Sequence, residues 1–280
     1  MRGQGKFVER VLFLLALSAI SSLILITVFI FMEGLPLILH TGLKDFILSS
    51  HWAPTKGYFG IFAMIISSLL VTLGAMVMGV PLGLACAIVL AEFSPERVRS
   101  WLKPALELLA GIPSVVYGFL GVIWLVPLIR NYLGGPGLSL LAGSVILGIM
   151  ILPTVISISI DALSAVPDLY RDGSIALGAT QWQTVRRVVL PAASSGIITA
   201  IILGMGRAVG ETMAVIMVAG NALKLPASIL DPVRTLTSNI ALELGYAAGR
   251  HREALFATGI VLFVIIMILN LSATLITRRR

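Results

Sequence analysis

Six apolar stretches dominate this chain and fix what it can become: roughly 11–33, 59–91, 105–129, 138–162, 192–220 and 254–277. A helix of about 20 apolar residues spans the hydrocarbon layer of a bilayer. Lipid offers no partner to a backbone N–H or C=O, so each run must satisfy its own hydrogen bonds, and a helix does that within one segment. The expected fold class is all-α, a polytopic membrane protein with about six transmembrane helices. Composition agrees: 12% of residues are charged, about half the share in a soluble domain. Two regions are expected, an N-terminal span with its first outer loop over 1–58 and a membrane core over 59–280. Too little polar sequence remains for a separate soluble domain.

The first run follows Arg2, Lys6 and Arg10. It exceeds the 7–15 residues of a signal-peptide core and no small-x-small cleavage site follows, so it reads as an uncleaved span. The formal charge of +7 is explained by basic residues flanking the spans rather than by nucleic acid. With the N-terminus inside, Arg2, Lys6, Arg10, Arg97, Arg99, Lys103, Arg171, Arg186, Arg187 and Arg278 to Arg280 are cytoplasmic. Lys44, Lys56, Arg130, Lys224, Arg234, Arg250 and Arg252 are outside. That bias favours cytoplasmic termini, although the last outer loop is itself basic. Cys86, the single cysteine, lies in an apolar run and reads as a small packing residue. His40, His51 and His251 read as loop residues without metal-ligand spacing, and no metal site is expected.

Prolines and glycines punctuate the spans. Pro81 should kink the second, Pro104 opens the third, and Gly111-Ile112-Pro113-Ser114 follows within it. Gly196, Gly204, Gly206, Gly210 and Gly220 mark the fifth, where small residues let helices approach closely. No internal repeat is evident, which weighs against transporters built from duplicated halves.

The polar interruption at 165–191 is the best place for a soluble partner to dock. Pro167 suits a first helical turn, Asp168 favours that positive helix end, Gly178 permits a turn, and Thr180 can cap a second helix over 181–188. Trp182, Val185 and Val189 share a face. Helix, glycine turn, helix is therefore expected. Such a unit can dock in a partner's groove through apolar anchors or rest on lipid headgroups; the residues alone leave both open.

Arg207 and Glu211 stand in the fifth span, in GMGRAVGETMAV. A charge at mid-bilayer costs at least roughly 2.5–3.5 kcal/mol and normally faces protein or water. At i and i+4 the two share a helical face and can pair. Either they form a structural ion pair, or they mark a pathway in which the planar fork of Arg207 takes phosphate oxygens. In the second case Glu211 neutralises Arg207 in one state and releases it in another, because conduction needs binding weak enough to leave.

The interruption resembles the EAA loop of ABC importer permeases. Asp172-Gly173-Ser174 stand at the E-A-A positions, Gly178 at the glycine, Val188 at the isoleucine and Leu190-Pro191 at the end. Asp172 and Gly173 depart from the pattern, and Gly173 should weaken the local helix by about 0.5–1 kcal/mol. The resemblance implies a type I ABC importer permease fold. It also implies a coupling loop, with Leu177 and Ala179 beside the motif residues, that packs into an ATPase and passes its closing motion to the spans. More narrowly, GRAVGETMAV and GIPSVVYG (111–118) resemble the PstC-type permeases of bacterial and archaeal phosphate importers, over about residues 60–275. Thr212-Met213-Ala214 favours that type over the companion PstA type. The implied partners are a PstA-type second permease, two PstB-type ATP-binding subunits, a PstS-type extracytoplasmic phosphate-binding protein, phosphate itself and the lipid bilayer. The implied location is the cytoplasmic (inner) membrane, multi-pass, with both termini cytoplasmic.

On this resemblance Arg207, Glu211, Thr212 and Ser114 are candidates for the substrate pathway. Pro113, Ser114 and Tyr117 either line the path or bend and pack the third helix. No catalytic residue or cofactor is expected here. Walker A requires G-x-x-x-x-G-K-[ST], whereas the one Gly-Lys pair, Gly5-Lys6, is followed by Phe7. ATP and Mg are expected in the partner, and the chain is not expected to be an enzyme. The 221–253 loop is expected to meet the binding protein. The alternatives are a permease for another oxyanion such as molybdate or sulfate, and a secondary anion transporter or channel.

Overall fold

A computed structural model of the chain describes residues 2–278; Arg279 and Arg280 of the expected basic stop lie outside it. Helix α1 (Arg2–Thr41) leads through a short α2 (Leu43–Leu48) to a two-stranded hairpin, β1 (Trp52–Ala53) against β2 (Tyr58–Phe59). Then come α3 (Phe62–Ile88), α4 (Glu96–Ala110), α5 (Ser114–Leu120), α6 (Val126–Tyr132) and α7 (Leu140–Ser164). The polar interruption forms α8 (Asp168–Ala176) and α9 (Gln181–Thr184), and the short α10 (Leu190–Ala192) follows. The chain ends with α11 (Ser194–Gly210), α12 (Met213–Val218), α13 (Leu236–Glu243) and α14 (Arg250–Arg278).

Among the described residues five helices are long and apolar enough to cross a membrane: Glu9–Thr41, Phe62–Phe93, Ser114–Tyr132, Leu140–Ser164 and Arg250–Ser272. The pair Gln181–Ala192 and Ser194–Gly210, bent by 70°, makes a sixth if it is taken as one broken span. Five to six spans are thus present, and two of the expected ones are corrected. The third starts at Ser114 rather than 105, because 96–110 forms a separate helix whose exposed side mixes Arg97, Trp101, Glu107 and Leu108. Pro104 lies inside that helix. The fifth is not continuous over 192–220: α11 stops at Gly210, Glu211 is extended (φ −68°, ψ 134°), and α12 resumes at Met213.

Helices α3 and α7 run side by side in the same direction. A Cβ on Gly79 would sit 2.8 Å from the Gly148 carbonyl, and one on Gly83 would sit 2.9 Å from Val155. Only a residue without a side chain lets the backbones close to that distance, which replaces the missing hydrophobic drive in lipid. Helix α11 returns antiparallel, with Gly204 against Val155 and Gly196 against Ala162. The main cluster, including Leu147, Met150, Ile151 and Val215, joins α3, α5, α7 and α12. A second, around Phe46, Trp52, Ile61 and Leu255, fastens the N-terminal segment to α14. A third, around Ile160, Leu163 and Val189, lies at the α8 end. Alternating crossings send both termini towards that end.

At the opposite end, 221–253 is a folded-back segment rather than a plain loop. Carbonyls of Val218, Ile229 and Asp231 accept the amides of Ser139, Leu141 and Leu140, the otherwise unpaired first amides of α7. Glu243 there is buried, accepting from Trp52, Arg234 and His251. Two histidines therefore lie in helices, His40 in the last turn of α1 and His251 in the first of α14. Cys86 faces outwards and is exposed rather than packed, because α3 turns that side away from α7.

Candidate functional site

The unit at 165–191 is helix, glycine turn, helix, as its residues dictate. Helix α8 runs through Gly173 and ends in a Schellman arrangement: the Gly178 amide donates to the Ile175 carbonyl (2.8 Å) and the Ala179 amide to the Ser174 carbonyl (3.2 Å). Gly178 sits at φ +85°, a conformation that costs a residue with a Cβ roughly 1–2 kcal/mol. Thr180 then forms a capping box: its hydroxyl accepts from the Gln183 amide (3.3 Å), and the Gln183 side chain accepts from the Thr180 amide (2.9 Å). The Thr184 hydroxyl donates to Ser174 across the two helices (3.0 Å). The angle between them is therefore set by local bonds.

Asp172, Gly173, Leu177 and Gly178 are exposed, Ser174 and Ala179 half-buried. Leu177 is 91% and Leu169 82% exposed, so the unit presents bare apolar anchors away from the bundle. Leu190 packs into the third cluster, while Pro191 is exposed at the bend into α11. Sequence reasoning missed Glu92. Its carboxylate takes both Arg171 Nε (3.2 Å) and Nη2 (2.7 Å). That bond, more than the opposing burial, raises the Arg171 pKa above its ordinary value. One signal was available: Glu92 is a lone acid at the end of an apolar run.

The second site lies where two helix breaks meet. The chain turns at 111–113 between α4 and α5 and again at 211–212 between α11 and α12. The breaks face each other, since a Cβ on Gly118 would sit 3.0 Å from the Ala214 Cα. Arg207, half-buried in the last turn of α11, donates to the Ala110 carbonyl (3.2 Å) and the Thr154 hydroxyl (3.4 Å). Tyr117 donates to the neighbouring Leu109 carbonyl (2.9 Å), so this buried residue serves the α4 terminus. Glu211 does not pair with Arg207, and among the described residues no carboxylate lies within ion-pair distance of that guanidinium. The expected i, i+4 face is lost because the helix ends one residue before Glu211. Its carboxylate instead accepts from the Ala214 amide (3.2 Å), and its carbonyl accepts from Thr237 (2.9 Å).

Thr212 precedes α12 and bonds back to the Gly210 carbonyl (3.3 Å). Ser114 opens α5, half-buried, four residues beyond the carbonyl that Arg207 holds. Arg207, Glu211 and Thr212 thus gather at one break and Ser114 at the other. Sequence reasoning missed Thr154 and the Ala110 carbonyl, both partners of Arg207. A backbone carbonyl leaves no trace in the residue pattern.

The family model described as "Binding-protein-dependent transport system inner membrane component" matches residues 79–280. The probable ABC transporter permease protein YqgH of Bacillus subtilis is 42% identical over 272 residues, covering 95% of this chain and 88% of that one. The phosphate transport system permease protein PstC of Haemophilus influenzae is 34% identical over 255 residues, 84% of this chain and 81% of its own. Solved structures carry the fold at lower identity. A chain of the bacterial importer of alginate gives a TM-score of 0.63 at 17% identity, covering 95% of this chain and 96% of its own. A chain of the inward-facing MetNI methionine transporter gives 0.59 at 19%, covering 81% and 99%. These solved chains come from ABC transporters, and the all-α bundle described above has their fold. With the family model spanning most of its length and close relatives along nearly all of it, the chain belongs to the binding-protein-dependent transport system inner membrane components, the permease subunits of ABC importers.

Proposed function

We propose that this permease carries inorganic phosphate, with Arg207 as the group that receives the anion along the path. One observation carries the proposal: a half-buried guanidinium in the membrane bundle whose partners are neutral oxygens, Ala110 O and Thr154 Oγ1. A charge so placed is costly and marks a substrate pathway by default, and a planar fork of donors matches a tetrahedral oxyanion. The PstC proteins of Haemophilus influenzae and Mesorhizobium japonicum, 34% and 37% identical, support phosphate as that anion. Thr212 and Ser114 flank the same breaks and complete the polar lining. Glu211, capping α12, can swing to neutralise Arg207 when substrate leaves.

Around this chain the assembly would hold a PstA-type second permease, two PstB-type subunits that bind ATP and Mg, and a PstS-type binding protein at the α13 end. The α8–α9 unit docks one ATP-binding subunit through Leu169, Leu177 and the exposed Asp172. Its end of the bundle is the cytoplasmic face of the inner membrane, and both termini lie there. The basic residues Arg97, Arg99, Lys103, Arg171, Arg186 and Arg187 cluster at that end, as the positive-inside rule requires.

The test is uptake by the reconstituted complex. Arg207→Gln should abolish phosphate import while the ATP-binding subunit still co-purifies. Undiminished phosphate import would remove Arg207 from the mechanism. Import of sulfate or molybdate, and not phosphate, by the unmodified complex would reassign the cargo.

A further inference from the structure

We propose that Arg171 and Glu92 form the strut through which a push on the α8–α9 unit reaches the membrane helices. This positioning role in transport rests on the reading of α8–α9 as the unit that docks the ATP-binding subunit. Neighbouring residues divide the work. Asp172 points outwards and is exposed, whereas Arg171 turns inwards, its side chain 19% exposed, to a Glu92 side chain 6% exposed.

All five guanidinium N–H groups of Arg171 have an acceptor within reach. Nε and Nη2 hold the two Glu92 oxygens, Nη2 also reaches the Leu163 carbonyl (2.9 Å), and Nη1 reaches the Val166 carbonyl (2.6 Å) and Asp168 (3.2 Å). One residue of α8 therefore grips Glu92, just beyond α3, through a bidentate ion pair, and the carbonyls of Leu163 and Val166 at the end of α7. The second arm of the unit meets the same point. Gln181 donates to the Glu92 carbonyl (2.7 Å), and the Trp182 ring lies 6.3 Å from that of Phe93.

A purely apolar contact between the unit and α3 would let the two slide. A two-bond fork fixes both distance and orientation, and its burial makes separation costly because each charge would be left unpaired. Beyond Glu92 the route is closely packed. Helix α3 meets α7 backbone to backbone at Gly79 and Gly148, and α7 carries Thr154 to Arg207. Displacement of the docking unit is thereby tied to the helix that holds the substrate arginine. The pair also explains why a carboxylate ends an otherwise apolar span and why an arginine precedes the motif acid.

The test uses the complete importer in proteoliposomes, measuring phosphate imported per ATP hydrolysed and, separately, co-purification of the ATP-binding subunit. Glu92→Gln keeps the side-chain shape and removes the charge. The expected result is an assembled complex that still hydrolyses ATP, with import per ATP reduced roughly two- to thirtyfold, the span commanded by residues along a coupling route. Arg171→Gln should do the same, and the double variant should be no worse than either single one. Glu92→Asp, which keeps the charge one methylene shorter, should give a smaller loss. Unchanged import per ATP in an assembled Glu92→Gln complex overturns the strut. Failure of both Glu92 variants to assemble overturns it too, by assigning the pair to fold maintenance. Failure of the unmodified chain to retain any ATP-binding subunit instead strikes the docking reading beneath it.

Discussion

Glu243 offers the sharpest test of the physics at the end opposite the α8–α9 unit. Its carboxylate is buried and accepts three donors: Arg234 Nη1 at 2.7 Å, His251 Nε2 at 2.8 Å and Trp52 Nε1 at 3.0 Å. Those donors come from the segment before α13, from α14 and from the N-terminal hairpin, so one side chain ties three parts of the chain. Glu243→Gln preserves shape and leaves the Arg234 side chain, 15% exposed, without a counter-charge. Removing one member of a buried pair costs about 3–5 kcal/mol. At 2–4 °C per kcal/mol, the scale for domains of 150–250 residues, the apparent Tm should fall by roughly 6–20 °C. The assay is thermal unfolding of the full chain in mild detergent at one fixed scan rate. It is paired with limited proteolysis, which should newly cut the segment around 42–60. A companion Arg234→Met/Glu243→Gln variant should recover part of the loss, because the stranded charge is gone. A single variant within 2 °C of the parent would refute the reasoning, since the carboxylate would then have to be solvated.

Two further outcomes follow from local geometry. Gly178→Ala places a Cβ at φ +85°, strained by roughly 1–2 kcal/mol; co-purification of the ATP-binding subunit should weaken while the Tm of the membrane bundle is unchanged. Asp231 has its pKa held below the ordinary carboxylate value, first by the Ala227 amide and then by that of Ser228, both donating to Oδ2. A lowered folded-state pKa contributes stability above the unfolded value, about 3.9, and that stability is lost as pH falls through the folded one. Deuterium uptake of the 224–234 peptide, corrected for intrinsic rate, should therefore rise only below about pH 4, and Asp231→Asn should remove that dependence.

Much of this architecture was legible because lipid makes the signal simple. A run such as 140–164 can only be a helix, and its length fixes the crossing. The α8–α9 unit was legible for another reason: Gly178, Thr180 and Gln183 act within a turn of one another, so their spacing is their geometry. The breaks were less readable. Gly210-Glu211-Thr212 carries no proline, and helical spacing put Arg207 and Glu211 on one face. Only part of what holds the break is tertiary: the Glu211 carbonyl is taken by Thr237, 26 positions on, while its carboxylate takes the local Ala214 amide at the start of α12. The partners of Arg171 were hidden likewise, because Glu92 is 79 positions away and two of the others are carbonyls.

The separation of Arg207 from Glu211 has its own logic. A helix carries partial negative charge at its C-terminal carbonyls and partial positive charge at its N-terminal amides. Arg207 rests on the last carbonyl of α4, and Glu211 on a first-turn amide of α12. Each charge is thus held by the helix end of opposite sign, and neither needs the other. For a permeating anion this matters. In the proposed pathway, a phosphate that takes the Nη2 hydrogen held by the Ala110 carbonyl gives up the free energy of the bond it breaks. Net hydrogen bonds to charged groups are worth about 1.5–3 kcal/mol, which lowers affinity roughly 10- to 150-fold relative to a bare guanidinium. Transport requires a site that attracts the anion and then lets it go. In the proposed pathway a competing carbonyl, set in place by a helix break, would aid that release alongside Glu211.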